Sequence, residues 1–99
     1  MNVLVARAKV KPANVTDLEA AADKMFTAIE EAQPAGIRYA WLLLDDGETF
    51  AAVVQVDDGV ENTIPALPEY QALQERLADS LAEPPSRASL TVLGSYRLF

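Results

Sequence analysis

The 99-residue sequence predicts a single α+β domain whose strands and helices follow one another in the order βαββαβ. Three observations predict this order: valine-rich alternating segments, two stretches with apolar residues every three or four positions, and an Asp-Gly turn between two strand segments. A chain of this length has room for one domain, expected to span residues 1–99. The predicted fold is a ferredoxin-like antiparallel sheet with both helices on one face.

The first half of the chain predicts a strand, a helix and a second strand. Residues 2–10 alternate and are rich in valine, and residues 11–14 break the pattern at a proline. Residues 16–19, Thr-Asp-Leu-Glu, fit a capping box at the start of a helix. That helix is expected to run to about Gln33, before the Pro-Ala-Gly of residues 34–36. Its apolar stripe comprises Val15, Leu18, Ala22, Met25 and Ile29.

The second half repeats the plan. Residues 37–44 and 49–56 predict two antiparallel strands joined by the Asp-Asp-Gly-Glu turn of residues 45–48. Pro68 suits the first turn of a second helix, where its missing N–H is not needed. Two prolines at residues 84–85 end that helix, and residues 89–98 are expected to form the last strand. The second helical stripe comprises Leu67, Tyr70, Leu73, Leu77 and Leu81.

Alternation divides the strand residues between two faces of the sheet. Two helices cover one face of a four-stranded sheet, yet the other face also carries large apolar side chains. Burial of six such side chains is worth roughly 9–18 kcal/mol. Because a monomer rarely exposes such a patch, the sequence predicts a homodimer. The six are Val3, Val5, Leu42, Leu44, Val53 and Leu93. The helix-facing set is Leu4, Ala6, Ala8, Ile37, Tyr39, Trp41, Leu43, Phe50, Ala52, Val54, Val92, Gly94, Tyr96 and Leu98.

Composition excludes several classes of function. Fifteen acidic and eight basic residues give a formal charge of −7, which argues against nucleic-acid and anionic-membrane partners. The sequence has no cysteine and no histidine, so the usual metal ligands, haem ligand and general base are missing. We therefore predict no metal site and no cofactor. The N-terminal residues do not resemble a signal peptide, and a cytoplasmic location is expected.

Three aromatic residues are candidates for the wall of a ligand pocket. Tyr39 and Trp41 share the helix-facing side of one strand, and Tyr70 lies on the helix that covers that side. Together they could stack on a planar aromatic ligand. The alternative is that they only fill the core beneath the helices.

Four polar residues on the opposite face are further candidates for a ligand site. Arg7, Arg38 and Arg97 fall there with Gln55, and Arg7 and Arg97 are expected to approach each other on neighbouring strands. Arginines could clamp an anionic or enolate oxygen. The alternative is that they form salt bridges with acidic residues at sheet edges or across the dimer interface. The paired acids at residues 30–31, 45–46 and 57–58 are expected to be solvated.

The opening and closing segments carry a family resemblance. Residues 3–12, Val-Leu-Val-Ala-Arg-Ala-Lys-Val-Lys-Pro, precede an amphipathic helix, and residues 91–99, Thr-Val-Leu-Gly-Ser-Tyr-Arg-Leu-Phe, end the chain. With the element order, they resemble the dimeric α+β barrel superfamily, in particular its antibiotic-biosynthesis-monooxygenase-like branch, and small actinobacterial proteins of this plan. The resemblance implies two sheets packed into a barrel and a pocket between sheet and helices in each subunit.

The resemblance also bears on chemistry. Some members oxidise phenolic polyketides with molecular oxygen and no cofactor, and others degrade haem. The haem-degrading pattern needs a histidine, which this sequence lacks. The second helix of many members carries a histidine-containing segment, where this chain has Pro-Glu-Tyr-Gln-Ala at residues 68–72.

Two functional hypotheses follow. The first is a cofactor-independent, monooxygenase-like enzyme acting on a planar phenolic or polyketide-like small molecule, with Tyr39, Trp41 and Tyr70 walling the pocket and an arginine stabilising the phenolate. The second is a homodimer that binds a small apolar aromatic molecule, or serves a structural role, without catalysis. The absence of an acid–base constellation favours the second, and the family resemblance favours the first.

Overall fold

The computed structural model describes residues 2–98 and has the predicted order of elements. The strands are β1 (Asn2–Lys9), β2 (Ile37–Leu43), β3 (Thr49–Val56) and β4 (Ser86–Leu90), and the helices are α1 (Val15–Ala32) and α2 (Pro68–Ser80). Short 3-10 turns, Pro12–Asn14 and Ile64–Ala66, precede the helices. Phe99, the last residue of the closing segment that carries the resemblance, lies outside the described residues, as does Met1.

The four strands form one antiparallel sheet in the order β2-β3-β1-β4. Strand β1 is therefore central, and its pairing with β4 confirms the expectation that the first and last strands are neighbours. Leu4 lies opposite Val54 on one side and opposite Ser89 on the other. This order is the one expected of a ferredoxin-like, split βαβ sheet.

Both helices pack on the sheet face that alternation predicts. Leu18 and Met25 of α1 and Leu73 of α2 are fully buried in one cluster with Phe50 of β3. Tyr39, Trp41 and Tyr70 pack against that cluster and are half-buried. The apolar residues that recur every three or four positions along the two helices therefore form part of the core. Among residues 2–98, no helix is long and apolar enough to cross a membrane.

The start of α1 differs from the prediction, whereas its end agrees with it. The predicted capping box at residues 16–19 is wrong: α1 begins at Val15, and its N-cap residue, Asn14, makes no side-chain capping bond. The reason is that the 3-10 turn leads directly into the helix, with the Asn14 N–H donating to the Lys11 carbonyl at 2.9 Å. At the other end, Gln33 adopts a left-handed conformation with φ 44° and bonds back to Ile29.

The loop between α1 and β2 requires glycine at residue 36. Gly36 has φ 75°, and a Cβ built there would lie 2.7 Å from a methyl group of Val60. Its carbonyl accepts a hydrogen bond from the Asp57 N–H at 2.9 Å. The positive φ and the close approach both exclude a side chain.

The last strand lies earlier in the chain than predicted. The prediction of a strand at residues 89–98 is wrong, because Arg7 pairs with Ser86 and Val3 pairs with Leu90. The pairing of β4 with β1 ends at Leu90. Residues 91–98, here called the C-terminal segment, are outside the sheet. The predicted assignment to a face of the sheet is therefore wrong for five residues of this segment: Val92, Leu93, Gly94, Tyr96 and Leu98.

The C-terminal segment is apolar yet exposed. Leu93 is 99% exposed, Tyr96 81% and Leu98 71%. Its alternating apolar sequence is typical of a strand, but within residues 2–98 it pairs with no strand. An unpaired apolar segment of this kind is suited to contact with another chain.

The turn between β2 and β3 depends on Asp46. Its Oδ1 accepts hydrogen bonds from the backbone N–H groups of Glu48 and Thr49, each at 2.9 Å, and its Oδ2 accepts one from the Thr49 hydroxyl at 2.6 Å. The Thr49 hydroxyl bond, the two backbone bonds and the charge of Lys9 hold the pKa of Asp46 below its ordinary value. The predicted tight Asp-Gly turn therefore owes its order to an aspartate as well as to Gly47, which has φ 70°.

We expect Asp46→Ala to lower the melting temperature at neutral pH and to have little effect in acid. The pKa of Asp46 is lower in the folded state, so its stabilisation is present above its unfolded pKa and is lost as the pH falls through its folded pKa. Thermal unfolding across this pH range tests the expectation. Asp45→Ala is the matched control, since Asp45 is an exposed neighbour in the same turn. An equal, pH-independent loss in both variants would contradict the assigned role of Asp46.

Candidate ligand cavity

A cavity of about 310 Å³ lies between the sheet and α2. Its floor is the helix-facing side of the sheet, where Ala6, Ala8 and Ala52 occupy neighbouring positions of β1 and β3. Alanine side chains are too small to fill the space between a sheet and the helix that covers it, so room remains beneath α2. The remaining apolar lining comes from Leu4, Phe50, Val54, Ile64, Pro65, Leu77 and Pro85.

The aromatic wall of the cavity is a hydrogen-bonded pair. Tyr39 and Trp41 project from the same face of β2, and the Trp41 indole Nε1 donates to the Tyr39 hydroxyl oxygen at 2.8 Å. The ring of Phe26 on α1 lies 5.6 Å from that of Tyr39, and the ring of Phe50 lies 5.6 Å from that of Trp41. Tilted ring pairs at this spacing are favourable, and they fix both side chains in place.

Tyr70 and Arg87 bring polar groups to the same cavity. Tyr70 lies on α2, and Arg87 lies opposite Ala6 on β4, which places it on the helix-facing side of the sheet. Burial raises the pKa of Tyr39, the bond from Trp41 lowers it, the nearby Tyr70 raises it, and the charge of Arg87 lowers it. The net shift is upward, so Tyr39 is a neutral phenol at physiological pH.

The structure brings the three predicted aromatic residues together around one space. Tyr39, Trp41 and Tyr70 all line the cavity. They also contact the buried cluster. Their role toward a ligand stays a prediction.

The four polar candidates from the opposite face are dispersed. Arg7 is exposed and contributes to the edge of the cavity lining, although alternation assigns it to the other face. Arg38 donates to Gln55 Oε1 at 3.2 Å and lies 3.6 Å from an Asp57 carboxylate oxygen, away from the cavity. This arrangement matches the predicted alternative of salt bridges at a sheet edge. Gln55 is 1% exposed, and its Nε2 has no hydrogen-bond partner among residues 2–98.

The expected approach of Arg7 and Arg97 is wrong. Arg7 pairs with Ser86 at the start of β4, whereas Arg97 lies in the C-terminal segment beyond the end of that strand. The Arg97 guanidinium instead lies 5.1 Å from the centre of the Tyr96 ring. Such a cation–π contact is local and does not involve the cavity.

Sequence reasoning missed Arg87, Asn62 and Gln74, which also line the cavity. Arg87 lies before the predicted last strand, which the apolar alternation of the C-terminal segment places at residues 89–98. The available signal was alternation in a strand starting at residue 86, which would have placed Arg87 beside Ala6. No pattern in the sequence distinguishes Asn62 or Gln74 from other polar residues of loops and helices.

The chemistry open to the cavity is set by its lining. No histidine, cysteine or carboxylate is among the described residues that line it. Within residues 2–98, no three potential ligands of the types His, Cys, Asp or Glu lie close enough together to hold a metal ion. The arrangement is suited to a planar apolar molecule with one polar end, which would face Tyr39, Tyr70 and Arg87.

Comparison with known proteins gives similarity at the level of fold. No protein-family model matches the sequence, and no curated protein matches it significantly. Among solved structures, Rv0793 from Mycobacterium tuberculosis superimposes with a TM-score of 0.73 at 20% identity, covering 95% of this chain and 96% of that one. A protein from Nitrosomonas europaea, named as a candidate antibiotic biosynthesis monooxygenase, gives 0.77 at 20% identity, covering 95% and 100%.

A third structure has a described activity. A variant of SnoaB from Streptomyces nogalater, a cofactor-independent oxygenase, superimposes with a TM-score of 0.62 at 19% identity, covering 97% of this chain and 96% of that one. At these identities the likeness is one of fold, and the resemblance predicted from the sequence is confirmed at that level. The chain has the ferredoxin-like α+β fold that is also found in structures named as antibiotic biosynthesis monooxygenases.

Proposed function

We propose that this protein is a cofactor-independent, monooxygenase-like enzyme that acts on a planar phenolic or polyketide-like small molecule in the cavity beneath α2. The observation that supports the proposal most strongly is the combination of an apolar cavity of about 310 Å³ with polar groups from Tyr39, Tyr70 and Arg87. A cavity of this size suits a compact fused-ring molecule. The likeness in fold to SnoaB, described as a cofactor-independent oxygenase, agrees with it.

The proposed chemistry needs a substrate that can donate electrons to oxygen once it is deprotonated. In an anthrone, loss of a proton to solvent water gives a phenolate-like enolate, which reacts with dioxygen at the ring carbon. Oxidation of that methylene to a carbonyl supplies all the electrons that reduce dioxygen: one oxygen atom becomes the new carbonyl oxygen, and the other leaves as water. Arg87 would stabilise the oxyanion, and Tyr39 would donate a hydrogen bond to it.

We expect anthrone to be oxidised with uptake of one molecule of dioxygen for each molecule of substrate. An oxygen electrode and product chromatography measure both quantities, with spontaneous oxidation in buffer subtracted. Hydroquinone-like compounds extend the panel. Absence of enzyme-dependent uptake across the panel, with a folded protein, would contradict the proposal.

One observation favours a second candidate, a protein that binds a ligand without transforming it. Among the described residues, the cavity lining has no histidine, carboxylate, lysine or cysteine to serve as a general base. On this candidate, the same planar compounds bind without being consumed. Binding measured by quenching of the single tryptophan, together with absent oxygen uptake, would select it.

We also propose that the protein is a homodimer that buries the sheet face opposite the helices. Leu42 is 52% exposed on that face, and Leu90, opposite Val3, is 46% exposed. The C-terminal segment adds Leu93 and Tyr96 to the exposed apolar surface. A second copy related by a two-fold axis would cover both features at once.

A further inference from the structure

The hydrogen bond between Trp41 and Tyr39 has only one chemically possible direction. An indole N–H is a donor and never an acceptor, so at 2.8 Å the Tyr39 hydroxyl oxygen must accept. The hydrogen of that hydroxyl then points away from Trp41. The cavity, lined by both residues and by Tyr70, provides the space into which it can be directed.

The two rings have little freedom to change this arrangement. Phe26 packs against Tyr39 from α1, and Phe50 packs against Trp41 from β3, with ring centres 5.6 Å apart in both pairs. Trp41 and Tyr39 also stand two residues apart on one strand, so the backbone of β2 sets their separation. The direction of the hydrogen bond is thus a fixed property of the cavity.

We propose that Trp41 is a positioning residue whose indole N–H holds the Tyr39 hydroxyl as a hydrogen-bond donor toward the cavity, so that the site selects planar ligands with a carbonyl or phenolate oxygen at that end. This inference rests on the proposed function for the shape of the ligand. A hydroxyl that already accepts one hydrogen bond becomes a stronger donor in the next, because successive bonds polarise one another.

The titratable and charged groups around Tyr39 come from several elements. Tyr70 faces it from α2 and Arg87 from β4, and both affect its pKa. On α1, Glu30 lines a shallower depression that also contacts Tyr39. Burial raises the pKa of Tyr39, so the hydroxyl keeps its proton, and a neutral phenol is what a donor toward a ligand oxygen requires.

The first test uses the ligand-free protein and replaces the indole N–H alone. The chain has one tryptophan, so growth with benzothienylalanine, which substitutes sulfur for the N–H, changes Trp41 and nothing else. The pKa of Tyr39, followed by NMR of labelled tyrosines, is expected to rise further because the lowering bond is lost. Tyr39→Phe assigns the signal, and the exposed Tyr96 is the internal control. An unchanged or lower pKa would overturn the proposal.

The second test asks whether the pair selects an acceptor oxygen. Anthrone and its oxygen-free analogue dihydroanthracene are compared under nitrogen, so that no turnover occurs. The sulfur substitution is expected to weaken anthrone binding about fivefold and to leave dihydroanthracene unchanged. Equal weakening of both would mean that Trp41 acts through shape alone, against the proposal. If neither compound binds the natural protein, the proposed substrate class fails, while the tyrosine titration still decides the Trp41–Tyr39 pair.

Discussion

Replacing Arg87 by glutamine is expected to lower kcat/KM for anthrone-like substrates by about 10- to 100-fold, the range expected for loss of a hydrogen bond to a charged group. Arg87 is the cationic residue of β4 that lines the cavity, and its charge already acts on Tyr39. Without it, the oxyanion formed by deprotonation loses the cationic donor closest to Tyr39, and the remaining cation of the lining, Arg7, lies at its edge. Steady-state oxygen uptake measures the change.

Arg76→Gln is the matched control for Arg87. Arg76 is an exposed arginine on α2 and is not part of the cavity lining. Removing it changes the net charge of the protein by the same amount and should leave kcat/KM close to that of the natural protein. A similar loss in both variants would assign the effect to overall charge, and no loss in either would remove Arg87 from the proposed mechanism.

Leu42→Asp is expected to convert the proposed dimer into a folded monomer. Leu42 is already 52% exposed in the single chain, so the substitution should disturb the subunit little. Across a two-fold axis the substitution would act twice. The interface would newly bury about half of each Leu42 side chain, so its loss costs roughly 1.5–3 kcal/mol for the pair, before the larger cost of placing two carboxylates in an apolar interface. The dimer dissociation constant should then rise by at least about 100-fold. Analytical ultracentrifugation measures it.

The neighbouring residue on the same strand supplies the control. Leu43 is 42% exposed and lies opposite Phe50, on the helix-facing side of β2. Leu43→Asp should therefore keep the dimer. Dissociation by both variants, or by Leu43→Asp alone, would mean that the interface is not the sheet face opposite the helices. Circular dichroism shows whether each variant is folded.

The aromatic wall of the cavity could be predicted from local periodicity. Alternation along β2 places Tyr39 and Trp41 on one face, and helical spacing places Tyr70 on the side of α2 that covers that face. These relations hold within one strand or one helix, and the sequence contains them completely. The element order and the position of both helices follow in the same way.

The position of Arg87 depends on information that local periodicity does not contain. Strand β4 pairs with β1 between Arg7 and Val3, and the apolar alternation of residues 91–98 does not reveal this register. The cavity could not be predicted from local periodicity either, because the space above Ala6 and Ala52 depends on the distance between α2 and the sheet. The register in which two strands pair and the distance between a helix and the sheet both depend on contacts between residues far apart in the sequence.

The lining of the cavity has a consequence for kinetics. Among the described residues, the lining holds no histidine, cysteine or carboxylate, the types of side chain whose charge ordinarily changes between about pH 4 and 9. A limb in the pH–rate profile near neutral pH would therefore report the acidity of the substrate itself and not that of an enzyme group. In a series of anthrones of graded acidity, the pH of that limb should shift in step with the pKa of each anthrone. The pH dependence of the oxidation would then be a property of the substrate.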